Sequence, residues 1–283
     1  KPRLWRDHGV NRVSLGVQSL DEALLERLGR VHTRDQVFQA FDRLRAAGFD
    51  NVNVDLMFAV PGQTLEMWRS TLAEATALDS EHLSCYEVIY EEDTPLFAQL
   101  KAGEVDVNED RACDMYQMLL EAAEQAGLRQ YEVANFARHL HGDPTEHPSA
   151  ACRHNVNYWR GGSFYGEGPS ATSYVRRARE KNWTNTDIYC NRLALNKRAI
   201  EYREQLAPLA RAGELAAFGL RMNSGWPYAL FERVSGYDLR RDWAAEMALV
   251  EERGYGVRLP DRFRLTATGL RFADWVAEQF LRI

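Results

Sequence analysis

Asn51-Val52-Asn53-Val54-Asp55-Leu56-Met57-Phe58-Ala59-Val60 is the stretch on which the fold turns. Successive residues of a strand face opposite ways, so Val52, Val54 and Leu56 share one side while Asn51, Asn53 and Asp55 share the other. The earlier stretch from Asn11 to Ser19 divides in the same manner, with Val13, Leu15 and Val17 opposed to Ser14, Gly16 and Gln18. His82 to Tyr90 reads as a third strand. Single helices lie between these strands. Thr33-Arg34-Asp35-Gln36 is a capping box that opens a helix bearing Val37, Phe38, Phe41 and Leu44 and stopped by Gly48. After the Pro61-Gly62 turn, Thr64 caps a second helix with Leu65, Trp68 and Leu72. Strands separated by single helices pair in parallel, which predicts an α/β fold. A closed barrel would fill its interior with layers of Val, Ile and Leu, and a central sheet would be apolar on both faces. Polar inward faces predict instead an open parallel barrel, with its site at the carboxyl ends of the strands and Ser14, Gln18, Asn53 and Asp55 on one surface. The local alternative is that Asn51 and Asn53 satisfy turn backbone and that Asp55 pairs with a cation such as Arg30.

The 283 residues carry a formal charge of −6, which disfavours general affinity for nucleic acid because that affinity comes from neutralising phosphates. No apolar run approaches the roughly 18 residues of a membrane helix, and the opening Lys1-Pro2-Arg3-Leu4-Trp5-Arg6-Asp7 is charged where a signal peptide would be apolar. Cys85, Cys113, Cys152 and Cys190 show no paired metal spacing and read as reduced thiols of a cytoplasmic protein. The chain lacks an initiating Met and opens on what resembles the tail of a helix, so it reads as a piece of something longer.

The densest stretch is Cys152-Arg153-His154-Asn155-Val156-Asn157-Tyr158-Trp159, followed by Gly161, Gly162, Gly166 and Gly168. Such a composition is costly for a solvent loop and points to binding. His139, His141, His147 and His154 fall in the same region as Cys152, and imidazole and thiolate are the axial ligands that heme iron takes. Zinc is a second reading, although Cys152-x-His154 lacks a spaced second pair. The third reading is a solvated His-rich loop with Tyr158 and Trp159 as core anchors.

Taken together, these motifs resemble a known family. Gly16-Val17-Gln18-Ser19, Leu28-Gly29-Arg30-Val31-His32, Asn53-Val54-Asp55-Leu56-Met57, Pro61-Gly62-Gln63-Thr64, Tyr131-Glu132-Val133-Ala134-Asn135-Phe136-Ala137 and Gly166-Glu167-Gly168-Pro169-Ser170-Ala171 occur in family order over nearly the whole chain. They resemble the coproporphyrinogen III oxidase-like branch of the radical S-adenosylmethionine (SAM) proteins, with Pro169-Ser170 standing where Gly-Ala is commoner. His154-Asn155-x-x-Tyr158-Trp159 is similar to the signature of the heme chaperones of that branch, which bind heme and hand it to a client apoprotein. The alternative within the branch is the oxidase, which oxidatively decarboxylates porphyrinogen propionates. The resemblance implies a [4Fe-4S] cluster and SAM as cofactors, with Gln18, Arg30 and Asp55 contacting SAM and Gly16 letting it approach the strand. It implies heme as cargo, with His154, Tyr158 and Trp159 as the heme candidates. The Cys-x3-Cys-x2-Cys loop that holds the family's cluster is absent from this chain, so no cluster-dependent chemistry is expected of the segment alone. The first half of the barrel is then missing, and the exposed edge of the Asn11 to Ser19 strand is expected to favour self-association.

The expected domains are a partial radical SAM barrel with its His- and Gly-rich loops over 1–180, a connecting helix over 181–207, and a mainly helical winged-helix-like unit over 208–283. In that last unit, three helices (Pro208 to Arg221, Pro227 to Val234, Leu239 to Arg253), a hairpin over Gly256 to Leu265 and a closing helix from Thr268 to Leu281 are predicted. Asp238, Asp242, Glu246, Glu251 and Glu252 crowd its third helix beside Arg240, Arg241 and Arg253, which leaves no clean basic face for DNA. The resemblance implies that this unit covers the barrel mouth.

Overall fold

The computed structural model describes residues 1–92, 94–105, 107–140 and 146–282. The chain divides into two compact units, Lys1–Ala151 and Cys152–Ile283. The break comes earlier than the expected boundary at 180.

The first unit runs α1 (Pro2–Asp7), β1 (Val13–Gln18), α2 (Glu22–Arg27), α3 (Arg34–Ala46), β2 (Val52–Phe58), α4 (Leu65–Ala77), β3 (His82–Glu87), α5 (Pro95–Lys101), α6 (Glu109–Gln125), β4 (Arg129–Glu132) and β5 (Asn135–Ala137). Its sheet has the order β1-β2-β3-β5-β4. The β1, β2 and β3 pairings are parallel, as the single-helix crossovers require, whereas β5 joins β3 antiparallel and β4 joins β5 antiparallel. The expected all-parallel arc thus ends in a hairpin. Thr33 and Gln36 form the full capping box of α3, and the Thr64 side chain accepts from the Met67 amide at the start of α4.

The apolar side of this sheet is the core. Val17, Val52, Val54, Leu56, Phe58, Leu83, Cys85 and Phe136 pack there against Phe41 and Leu44 of α3, Trp68 and Leu72 of α4 and Met115 and Leu119 of α6. The Trp68 indole N–H donates to the Met115 carbonyl at 2.8 Å, so the largest core side chain also satisfies its polar atom. At the amino end of the strands, Glu81 accepts from the Val52 amide at 2.9 Å and pairs with Arg45 at 2.9 Å. That ion pair locks the end of the sheet opposite the polar carboxyl ends.

The second unit contains α7 (Arg153–Trp159), β6 (Thr172–Val175), β7 (Ala178–Asn182), α8 (Thr186–Ala194), β8 (Ile200–Glu204), α9 (Pro208–Gly219), β9 (Trp226–Pro227), α10 (Tyr228–Ser235), α11 (Leu239–Asp242), α12 (Ala244–Glu252), β10 (Gly256–Arg258), β11 (Arg262–Leu265), α13 (Ala267–Arg271) and α14 (Ala273–Phe280). The connecting helix expected over 181–207 is a helix only over Thr186–Ala194, and it lies between two strands of an antiparallel sheet ordered β6-β7-β8. Ile200 and Tyr202, read as helical, belong to β8. The hairpin β10–β11 forms as expected and gains β9 as a third strand. Trp226, Phe231, Trp243, Phe263 and Phe280 are fully buried in this unit. Arg240 pairs with Asp238 and Arg241 with Asp242, which spends both guanidinium charges within the chain.

Candidate functional site

Register sets out the polar face of the first sheet in rows. Ser14 lies beside Asn53 and Asn53 beside His82; Gly16 lies beside Asp55, Asp55 beside Ser84 and Ser84 beside Asn135. Asp55 Oδ2 accepts from the Ser14 hydroxyl at 2.6 Å and Oδ1 from Asn53 Nδ2 at 2.7 Å. The same amide nitrogen donates to Ser14 Oγ at 2.7 Å. Asp55 therefore pairs with neither Arg30 nor any other cation among the described residues, and the local ion-pair alternative is replaced by a hydroxyl and an amide. Asn53 is buried and serves Asp55, so the turn-backbone reading does not hold for it.

The other SAM candidates gather at the carboxyl end of β1. Gln18 adopts φ 64° where the β1–β2 register shifts, and its side chain folds back across Gly16, so that a Cβ on Gly16 would meet Gln18 Nε2 at 3.0 Å. Gly16 thus makes room for the Gln18 side chain. Arg30 is exposed just beyond α2; its amide donates to the Leu25 carbonyl at 2.9 Å, and its guanidinium has no hydrogen bond or ion pair among the described residues. Two residues on, His32 Nε2 donates to the Val17 carbonyl at 3.1 Å and ties this segment to the end of β1.

Behind Asp55 lies a buried set of polar side chains that pattern reading did not single out. His82 is fully buried, with Nδ1 2.6 Å from Asn53 Oδ1 and Nε2 2.9 Å from the Tyr131 hydroxyl. Burial, assisted by the Arg12 guanidinium, lowers its pKa from 6.5 to about 3, so the ring is neutral. Ser84 donates to Asn135 Oδ1 at 2.6 Å, and Asn135 donates to Glu132. Tyr131, Glu132 and Asn135 come from the Tyr131 to Ala137 motif. The sequence displayed the motif without showing what it supports.

In the second unit, α7 places His154 and Tyr158 one turn apart. Their rings are 4.6 Å apart, Tyr158 stacks on Phe164 at 4.0 Å, and Phe164 continues to Tyr174 at 6.1 Å. His154 is exposed and Tyr158 is 38% exposed, so these rings form an aromatic ledge open to solvent. Trp159 points elsewhere: it packs edge-on against Phe218 of α9, with Arg221 over its ring at 5.4 Å. That is the anchor role, and it separates Trp159 from the ledge. The glycines that follow are structural. Gly161 has φ 69° and a Cβ there would lie 2.0 Å from Leu215, while a Cβ on Gly166 would lie 2.4 Å from the Thr172 backbone. Ser170, in the Pro169-Ser170 variation, takes φ 62°.

Among the described residues the remaining histidines do not assemble a metal site. His139 Nδ1 accepts from the Ser149 amide at 3.3 Å, His147 stands beside the Pro148 carbonyl, and His141 falls outside the described residues. No group of three or more His, Cys, Asp and Glu side chains able to hold a metal occurs among the described residues, which leaves the zinc reading without support there.

A parallel β/α sheet with a carboxylate-bearing polar face, followed by a helical module with a short antiparallel wing, defines the class: this is a radical SAM-type barrel segment with its C-terminal domain. Residues 1–75 match the radical SAM superfamily model and residues 206–272 the HemN C-terminal domain. The chain is 31% identical over 280 residues to heme chaperone HemW of Lactococcus lactis, covering 99% of this chain and 71% of that one. It is 30% identical over 284 residues to heme chaperone HemW of Bacillus subtilis, covering 99% and 72%. The solved coproporphyrinogen III oxidase (HemN) of Escherichia coli, a radical SAM enzyme, superposes with a TM-score of 0.79 at 19% identity, over 99% of this chain and 66% of that one. The chain belongs to the HemW branch of the HemN-like radical SAM family.

That family implies a [4Fe-4S] cluster and SAM. The thiols present do not suit the cluster: Cys85 is buried on the apolar side of β3, where desolvation pushes its thiol well up and away from the thiolate a ligand must be, and Cys113 and Cys190 are exposed singly on α6 and α8. The donor set on the polar face does suit SAM. A carboxylate with lone pairs left over, an unpaired guanidinium and an amide match its hydroxyls, amino group and carboxylate. No helix among the described residues is long and apolar enough to cross a membrane.

Proposed function

We propose that this chain is the part of a heme chaperone that holds SAM against Asp55, Gln18, Arg30 and Gly16 and contributes a heme contact through α7, heme being cargo for a client apoprotein. The observation that carries the heme half is the solvent-facing ledge of His154, Tyr158 and Phe164, which offers an imidazole beside flat apolar surface. Family membership in the HemW branch supports the same reading.

Heme titration of the full-length protein tests it. His154→Ala should shift the Soret band and weaken heme retention, Tyr158→Ala should weaken retention without changing the axial ligand, and Trp159→Ala should mainly lower the melting temperature. The triple change of His139, His141 and His147 should matter less than His154→Ala. Loss of heme with the triple change alone would move the ligand out of α7. No heme uptake by any form, with turnover of coproporphyrinogen in the presence of reductant and SAM, would replace the chaperone reading with the oxidase.

The partner half of the proposal includes self-association. β1 is an edge strand of the described sheet, with its outer row of backbone groups unpaired by any other described strand. Such edges recruit further strands. This chain on its own is expected to sediment as dimers or larger species. A monodisperse monomer would count against pairing through β1.

A further inference from the structure

Why a sheet buries His82, Asn53, Ser84 and Glu132 on a face where Val and Leu would pack at lower cost calls for a physical answer. Each buried polar atom demands a partner, and a partly satisfied network is worse than an apolar one. Here the donors and acceptors run in one direction. Asp55 only accepts, so Asn53 must present Nδ2 to it and turn Oδ1 away. Oδ1 likewise only accepts, so the proton of the His82 ring sits on Nδ1. In a neutral ring Nε2 is then an acceptor, and the Tyr131 hydroxyl donates to it. The order is Tyr131 to His82, His82 to Asn53, Asn53 to Asp55 and Ser14, and Ser14 to Asp55.

We infer that His82 and Tyr131 are positioning residues for SAM: they lock the Asn53 amide in the one orientation that holds Asp55 aimed outward from the polar face. The inference rests on the reading that Asp55 contacts SAM. A half-exposed carboxylate left to itself would sample several rotamers and lose that freedom on binding. Asn53 and Ser14 each occupy one lone pair on a different oxygen, which fixes the plane of the carboxylate and leaves its outward lone pairs for ligand hydroxyl or amino groups. Were the Asn53 amide reversed, its oxygen would face Asp55 and repel it. The ring proton on Nδ1 forbids that reversal, and the Tyr131 hydroxyl keeps the proton there. The Tyr131 to Ala137 motif thereby acquires a task, since Asn135 steadies Ser84, whose hydroxyl also lies 3.1 Å from Asn53 Oδ1.

The test measures SAM affinity by equilibrium dialysis in the full-length, cluster-loaded protein, alongside melting curves and 15N-histidine spectra. His82→Leu should weaken SAM binding about tenfold and Tyr131→Phe about fivefold, as loss of one orienting hydrogen bond implies. His82→Gln, which can still donate to Asn53, should stay within about threefold of wild type. In an Asp55→Ala background, His82→Leu should cost nothing further. Tyr131→Phe should also move the His82 nitrogen signals towards a mixture of tautomers. If Asp55→Ala weakens SAM but His82→Leu and Tyr131→Phe, both folded, do not, the inference fails and the Asp55 reading survives. A loss from His82→Leu that persists undiminished without Asp55 would mean a general structural role and would equally overturn it. If Asp55→Ala leaves affinity intact, the reading falls and takes the inference with it. Should His82→Leu fail to fold, Tyr131→Phe and its tautomer spectrum decide.

Discussion

Asp55→Ala is expected to weaken SAM binding more than tenfold in the full-length, cluster-loaded protein. Hydrogen bonds to a charged group contribute about 1.5–3 kcal/mol, and tenfold in affinity corresponds to about 1.4 kcal/mol. The alanine also takes the acceptor of the Ser14 hydroxyl and one of the two acceptors of Asn53 Nδ2, which keeps only Ser14 Oγ. Arg30→Ala should act in the same direction through loss of a guanidinium that has no other partner among the described residues. Glu66, exposed in the first turn of α4 on the helical side, is the control and should change nothing. Calorimetric titration of the three variants checks this. Equal affinity throughout would place SAM away from the polar face.

Much of this arrangement was open to reading in the chain itself. The period of two in Val52 to Asp55 and Val13 to Val17 assigned each side chain to its face, and the Thr33 and Gln36 box marked the start of α3 to the residue. What escaped had local causes. The β4–β5 hairpin turns at Val133-Ala134, with Ala134 at φ 85°, and the β6–β7 hairpin turns at Arg176-Arg177, with φ 53° and 64°. Tight hairpins of this sort are ordinarily announced by Asn or Gly, and neither residue occurs at these four positions. Asn196, also left-handed at φ 53°, ends α8 and lets Ile200 and Tyr202 enter a strand instead of prolonging the helix. Within the site, Asp55 and Gln18 were visible because a motif contains them. His82 and Tyr131 were not, because their relation to Asn53 exists only through the register of β2 with β3 and the return of β4 and β5 alongside. Trp159 fell to its neighbours: adjacent helical residues point about 100° apart, so Tyr158 and Trp159 could not both line one ledge.

Acid should unfold the first unit, and His82 should be a principal reason. Its folded pKa of about 3 lies below its unfolded value of 6.5 because burial penalises the imidazolium, with the Arg12 charge adding to the effect. Above pH 6.5 both states are neutral at this residue, and it contributes no pH dependence. Below 6.5 the unfolded chain takes up a proton that the folded chain refuses, so stability falls by as much as about 1.4 kcal/mol for each pH unit down towards pH 3. Denaturant melts between pH 7 and 4 measure this slope. The His82→Gln variant, which cannot titrate, should show a visibly flatter curve over the same window. Parallel curves for the two proteins would mean that His82 is protonated in the folded state.

The one-way run of hydrogen bonds also bears on any attempt to transplant this surface. Copying Asp55, or even Asp55 with Gln18 and Arg30, into another scaffold would carry over a carboxylate without its bearings. The movable part comprises Ser14, Asn53, Asp55, His82, Ser84, Tyr131 and Asn135, with at least one residue from each of the five strands. A host must therefore reproduce the order β1-β2-β3-β5-β4 and its offsets before the graft has any meaning. The smallest exportable piece of this polar surface is an entire sheet.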